Sequence, residues 1–140
     1  MKTQAALCAR EIRKLLKEKY PNVKFSVRSS NFSMGDSVDI QWTDGPTVED
    51  VDKLVKVFQY GYFNGMEDLY EVTNRRDDLP QSKYVMTQRR MSDEARAEII
   101  ATHNNQFKEN GRIDGDGFNE VFNCWNSDLI YRKFRDMRWD

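Results

Sequence analysis

The stretch SVRSSNFSMGDSVDIQWTDGPT, residues 26–47, decides how the rest of the chain is read. Two runs in it alternate with period two. Phe25 and Val27 point one way, with Lys24, Ser26 and Arg28 opposite. Val38, Ile40 and Trp42 likewise share a face, with Ser37, Asp39 and Gln41 on the other. The segment NFSMGD between the runs is a loop in which Gly35 can take positive φ. Two alternating runs joined by a short polar loop predict an antiparallel hairpin with one buried and one wet face. TDGPT then turns the chain: Gly45 permits an unusual backbone angle and Pro46 fixes φ. Thr47 is placed to cap a helix, with Asp50 three residues on.

Working outward, Cys8, Ala9, Ile12, Leu15, Leu16 and Tyr20 recur at spacings of three and four, which predicts a helix from a Thr3 cap to about Lys19. Val48, Val51, Leu54, Val55 and Phe58 predict a second helix, ending near Gly61. The following YGYFNGMEDLYEV reads as a turn and an aromatic-rich segment, and NRRDDLPQS as a loop. KYVMTQ, residues 83–88, is a third strand. A helix is expected from Ser92 or Asp93 to about Asn110, with Ala95, Ile99, His103 and Phe107 four apart. The tail 118–139 reads as helical, with Phe118, Val121, Phe122 and Trp125 as one stripe, a break near Asn126-Ser127, and Leu129, Ile130, Phe134 and Met137 continuing it. The expected fold class is α+β: a small antiparallel sheet, hairpin plus third strand, packed by helices. Residues 1–92 form the α+β domain and 93–140 a helical C-terminal extension packed on it.

The 140 residues suit one domain, and 39 % hydrophobic residues allow a modest core. No apolar run is long enough for a membrane span, and the N-terminal residues lack the pattern of a secretory signal. Cys8 and Cys124 are expected as buried free thiols in a reducing cytoplasm. The formal net charge of −1 argues against a generic nucleic-acid binder. The charge is nonetheless unevenly spread. Residues 1–28 carry a net +6, whereas residues 31–52 carry six acids and no Lys or Arg. Such segments either neutralise each other across the fold or present a bipolar surface that steers a charged partner.

The chemical motifs are sparse. His103 has no second histidine to join it as a metal ligand or base, so a core role is expected. IDGDGF, residues 113–118, resembles part of a calcium loop. With Gly117 at the sixth position, Arg112 would stand first and Asn123 twelfth, which are the wrong ligands. It is read as a turn. Phosphate loops, Rossmann glycines and nucleophile elbows are missing. Asp36, Asp39 and Asp44 could converge for acid–base or Mg²⁺ chemistry, but turn Asp residues more commonly bond their own backbone. IYRKFRDMRWD, residues 130–140, interleaves Arg132, Lys133, Arg135 and Arg138 with Tyr131, Phe134 and Trp139, a pattern that can grip phosphates and stack bases. Cations near a helix C-terminus are also favoured by its dipole.

Residues 7–92 together resemble the large polyvalent protein-associated domain family numbered twenty-nine. KFSVRS, GDSVDIQWTDGPT, FQYGYFNGMED and the KYV…R strand carry the likeness. That resemblance implies a small α+β domain from a phage or other mobile element, with no catalytic residues to carry over. The setting implies an anti-defence protein, an anti-CRISPR among the options, which inhibits a bacterial defence complex by non-catalytic binding in the host cytoplasm. The partner would be a defence protein or a ribonucleoprotein complex, with direct nucleic-acid contact open. The alternative is a nucleic-acid-binding accessory module using the basic first helix and the tail. A third reading is a nucleotide sponge or enzyme using Arg28, Trp42 and nearby acids. The candidate partner-binding residues are Asp36, Asp39, Asp44, Glu49 and Asp50 on the acidic run, with Arg132, Arg135 and Trp139 on the tail. No metal or cofactor is expected.

Overall fold

The computed structural model describes residues 3–67 and 69–139. Lys2, part of the basic count above, lies outside them. Helix α1 spans Gln4–Lys19, and the Thr3 hydroxyl accepts the Ala6 N–H as its cap. Its face of Ala5, Cys8, Ala9, Ile12 and Leu16 is buried. Strands β1 (Ser26–Phe32) and β2 (Gly35–Thr43) pair antiparallel in a register from Ser26–Gln41 to Phe32–Gly35. The loop between them is therefore only Ser33 and Met34. The strands claim the flanks of the expected loop because each added pair satisfies main-chain groups that water would otherwise have to serve.

Asp44 and Gly45 both lie in the left-handed region, φ +57° and +54°, which turns the chain sharply after β2. Helix α2, Val48–Val55, follows, capped by Thr47 through the Asp50 N–H, and a 3-10 turn at Lys56–Phe58 ends it. Gly61 does not stop a helix; it opens strand β3. β3 (Gly61–Asn64) and β4 (Leu69–Val72) form a second antiparallel hairpin where a turn was expected. A Cβ at Gly61 would collide with the Glu71 carbonyl, so only glycine allows this pairing.

Strand β5 (Tyr84–Arg90) completes the sheet in the order β1-β2-β5, but runs parallel to β2. The sheet is thus mixed, whereas the sequence reading made it antiparallel throughout. The reason is topological: α2 and the β3–β4 hairpin form a crossover that returns the chain to the starting end of β2. The α+β class stands. α1 and α2 cover one face of the sheet. There Cys8, Ile12, Leu16, Val27, Val38, Ile40, Trp42, Val51, Val55 and Phe58 make the first core.

Helix α3 spans Asp93–Gln106 and is capped by Ser92. The tail is not a continuous helix. Strands β6 (Phe118–Asn119) and β7 (Cys124–Trp125) form a small hairpin, and only α4, Asn126–Arg135, is helical. Asn119 breaks the expected helix: its side chain donates to the Gly111 and Arg112 carbonyls and accepts the Phe122 N–H, while Asn123 sits at φ +52°. Phe118, Val121 and Trp125, expected on an apolar stripe, are exposed. Ala95, Ile99, Ile113, Cys124, Leu129, Ile130 and Phe134 build a second core.

Arg89 joins the two cores. It is 7 % exposed and donates to the carbonyls of Asp44 (2.6 Å), Gly45 (3.0 Å), Phe134 (2.8 Å) and Met137 (2.7 Å). Its guanidinium carbon also lies 3.8 Å from the Phe134 ring centroid. Beside it, the Asp44 carboxylate accepts both the N–H and the hydroxyl of Ser92, and the Trp139 N–H donates to the Gly45 carbonyl at 2.7 Å.

Candidate functional site

The charged residues singled out from the sequence do not come together. Asp36 accepts from the Ser82 hydroxyl (3.0 Å) and the Lys83 N–H (2.8 Å), which fastens the lead-in of β5 to β2. Asp44 is committed to Ser92. Asp39 lies on the far face of the sheet, opposite Arg28 on β1 and Met86 on β5. Glu49 pairs with Lys53 one turn on, and Asp50 is gripped by two nitrogens of Arg138 at 2.7 and 3.0 Å. Asp52 accepts from the Thr87 hydroxyl at 2.7 Å. The six acids are thus spread over both faces of the sheet and α2. In the tail, Arg132 and Arg135 are exposed, Phe134 is buried, and Trp139 is half-buried against the second core. The basic–aromatic alternation is split between core and solvent.

The basic helix does not neutralise the acids either. Arg10, Arg13, Lys14 and Lys17 line the exposed side of α1, and none of them forms a salt bridge among the described residues. Arg13 donates to the Val27 carbonyl at 2.6 Å.

His103 is a core residue, stacked on Phe107 with centroids 4.7 Å apart and with Nε2 2.6 Å from the Gly111 carbonyl oxygen. Asp114 pairs with Arg112 and Asp116 with Arg96, which leaves the 113–118 segment a turn. Among the described residues, no group of three or more His, Cys, Asp and Glu side chains is placed to hold a metal ion. Cys8 and Cys124 are buried and unpaired. Burial, with the nearby Asp36 charge adding to it, pushes the Cys8 thiol up to about 12. No helix among the described residues is long and apolar enough to cross a membrane.

Alternation places Phe32, Asp39, Gln41, Met86, Gln88 and Arg90 on the sheet face that the helices leave uncovered, and each is exposed or half-exposed. Ser37, expected on this wet face, is buried opposite Tyr84. The β3–β4 hairpin packs beside that end of the sheet. Tyr70 packs edge-on between Tyr60 and Tyr84, with centroids 5.8 and 5.4 Å away, and its hydroxyl donates to the Lys83 carbonyl. Lys83 lies over both Tyr70 and Tyr84 and donates to the Met34 carbonyl at 2.9 Å, which ties the β1–β2 turn to the hairpin. Burial, then the neighbouring Tyr60, Tyr84 and Asp36, hold the Tyr70 hydroxyl protonated, pushed up to about 12.

Around this aromatic clasp, large apolar side chains face water. Phe32 and Met34 sit at the β1–β2 turn, Tyr62, Phe63, Met66 and Leu69 on the hairpin, and Met86 on the sheet; Met34 is 79 % exposed and Met66 99 %. The hairpin itself is stiffened by Glu71, which accepts from the Tyr62 hydroxyl and the Asn64 amide and is held below the usual carboxylate range by them. Sequence reasoning missed this surface because it read the hairpin as a turn. The Asn64-Gly65 pair between two short runs was the available signal.

These observations define an α+β domain with a mixed three-stranded sheet, helices on one face and an open apolar end on the other. The model of the family described as Large polyvalent protein associated domain 29 matches residues 3–106, and the chain belongs to that family. Domains of this family are associated with the polyvalent proteins of phages and mobile elements. The match reaches past residue 92 to include α3, and leaves β6, β7 and α4 outside. No curated protein and no solved structure matches the chain.

Proposed function

We propose that the chain is a non-catalytic binding module that docks on a protein partner through the open sheet end and the β3–β4 hairpin. In the setting of its family, the partner is a component of a bacterial defence complex, which the module blocks. The observation that carries this is the exposure of Phe32, Met34, Phe63 and Met86 on the β1–β2 turn, the hairpin and the open sheet face. Apolar side chains gathered on one end of a small domain mark a protein-binding surface, because leaving them wet forfeits the transfer energy that a partner recovers. The acidic run contributes little to this reading, since most of its carboxylates already have partners within the fold.

The test is a phage-plating assay in a bacterium that carries a defined defence system. The wild-type chain should raise plating efficiency by tenfold or more in at least one such host, and Phe63→Asp with Met86→Asp should abolish the gain with an unchanged melting temperature. If the double variant protects phage as well as the wild type, the apolar end is not the docking surface. If the wild type has no effect across the panel, the defence assignment falls.

The α1 stripe supports a second reading, a nucleic-acid accessory module. Arg10, Arg13, Lys14 and Lys17 fall at i, i+3, i+4 and i+7, so four cations share one helix face. Binding of that kind weakens steeply with salt, and Lys14→Glu with Lys17→Glu would remove it.

A further inference from the structure

The free edge of β5 carries a second feature, distinct from the apolar end. Ahead of β5, residues 58–60 run parallel to residues 81–83. Ser82 donates to the Phe58 carbonyl at 2.8 Å, Tyr60 donates to the Ser82 carbonyl at 3.2 Å, and Gln59 bridges Ser82. A single isolated bridge therefore stands ahead of β5, in line with where a fourth strand would run. At Gly61 that segment peels away into the β3–β4 hairpin, and among the described residues no further strand pairs with β5 on that side.

The opening is a groove of about 780 Å³, lined by Asp52 and Val55 of α2, Lys56 and Val57 of the turn that follows, Gly61 and Asn74, and the β5 residues 84–87. In a parallel ladder the main-chain groups of one residue point together to one side, and successive residues alternate. The Val85 N–H donates away from β2, to Gln59 Oε1 at 2.7 Å. The Val85 carbonyl and both main-chain groups of Thr87 therefore also face the groove. No group among the described residues takes them up.

Gln59 shows what fits there. Its carboxamide accepts from Val85 N–H and donates to the Gly61 carbonyl at 2.7 Å. One side-chain amide thus spans the gap between β5 and the departing strand, with its acceptor on one wall and its donor on the other. A peptide unit has the same two groups. The closed end of the gap is already filled by a substitute for main chain.

We propose that the groove beside β5 is a strand-addition site, which takes an extended segment of a partner polypeptide as a fourth strand against Val85 and Thr87. The edge from Val85 to Thr87 is about 7 Å long at the usual rise per residue, which suits about three residues. Alternate side chains of the segment would face Val55, Val57 and Val85, so the segment is one with apolar residues at every second position. A second copy of this chain fits less well. Edge-to-edge pairing of two β5 strands about a two-fold axis normal to the sheet brings a second α2 to the same face, where the first already forms the wall. This inference deepens the docking reading by adding a mode of recognition at an adjoining place on the molecule, with Met86 at the boundary.

The probe is a displayed library of unstructured ten-residue peptides selected against the full chain, with the selected peptide then synthesised. In the free protein, the Thr87 amide should exchange with solvent at least tenfold faster than those of Met86 and Gln88, which face β2. On saturation with the peptide, Thr87 exchange should slow by tenfold or more. Thr87→Pro removes the outward N–H, a substitution that edge strands tolerate, and should weaken binding by at least tenfold, whereas Thr87→Val, which removes only the hydroxyl bond to Asp52, should leave binding within threefold. N-methylation of the peptide at alternate residues should do the same in one of the two frames, which tests the ladder without altering the protein. Met34→Asp with Phe63→Asp, both on the surface proposed for the defence function and neither in the groove lining, should leave Thr87 protection by the peptide within threefold, so the two readings can fail separately. Peptides that bind without protecting Thr87, or with equal tolerance of methylation in both frames, overturn the proposal. So does a library that yields no binder. Concentration-dependent protection of Thr87 with no peptide present would show that a second copy fills the edge, and would also overturn it.

Discussion

Replacing Arg89 with Met keeps the apolar stem of the side chain and removes its guanidinium. Four main-chain carbonyls, from Asp44, Gly45, Phe134 and Met137, lose a charged donor at once. A hydrogen bond to a charged group contributes about 1.5–3 kcal/mol, and a buried carbonyl left unpaired costs about 1–3 kcal/mol. The four losses are not additive, because freeing the tail after Phe134 lets water reach the Met137 carbonyl and others nearby. A net loss of about 3–5 kcal/mol follows, the range found when a buried ionic group is cut from its partners. Small domains have about 5–15 kcal/mol in total. Urea unfolding at pH 7, followed by far-ultraviolet circular dichroism, reads the change. With a slope of about 2 kcal/mol per molar, the midpoint should fall by about 2 M. Arg89→Lys should fall between, since one ammonium cannot reach four carbonyls in different directions. A loss below about 1 kcal/mol for Arg89→Met, with an unchanged slope, would refute the role of Arg89 as the tie between the two cores.

Asp50 yields a pH prediction. Partial burial alone would raise its pKa, but the bonds from Arg138 and Thr47 outweigh this and the net shift is downward. A carboxylate with a depressed folded pKa adds stability above its unfolded value, near pH 4, and loses it as the pH falls through the folded value. Asp50→Asn should therefore flatten the acid limb of the stability curve below about pH 4 while lowering stability at pH 7; an acid limb identical to wild type would count against the Arg138 pairing. Cys8, with its thiol pushed up to about 12, should resist a thiol-specific disulfide reagent at pH 8 until the protein unfolds, and rapid labelling of the native protein at Cys8 would show that the first core is open.

The elements read correctly from the sequence share one property: a local pattern is enough to specify them. α1 has its apolar residues three and four apart and Thr3 at its start, and both observations translate directly into a buried face and a cap. Val27 of β1 and Val38, Ile40 and Trp42 of β2 are buried as their alternation predicts, and Thr47 and Ser92 cap where their spacing predicts. The errors also have physical causes. Phe118, Val121, Phe122 and Trp125 are spaced as on a helix, yet Asn119 takes up carbonyls seven and eight residues earlier, and bonds at that distance are not visible in a three-to-four periodicity. The β3–β4 hairpin has only four residues per strand, too few for alternation to stand out.

The sequence by itself determined the fold class, the first core, the caps and the family, because period, capping residues and family pattern are properties of neighbouring residues. Only the tertiary structure decided what the charges and surfaces do. Six acids between residues 31 and 52 look like one feature in the chain. In space Asp36 meets Ser82, Asp44 meets Ser92 and Asp50 meets Arg138, across separations of 46, 48 and 88 residues. The parallel direction of β5, its open edge and the exposed apolar end arise the same way. Whether a side chain or strand edge has a partner is settled by segments far away in sequence, and local pattern carries no record of where those segments go.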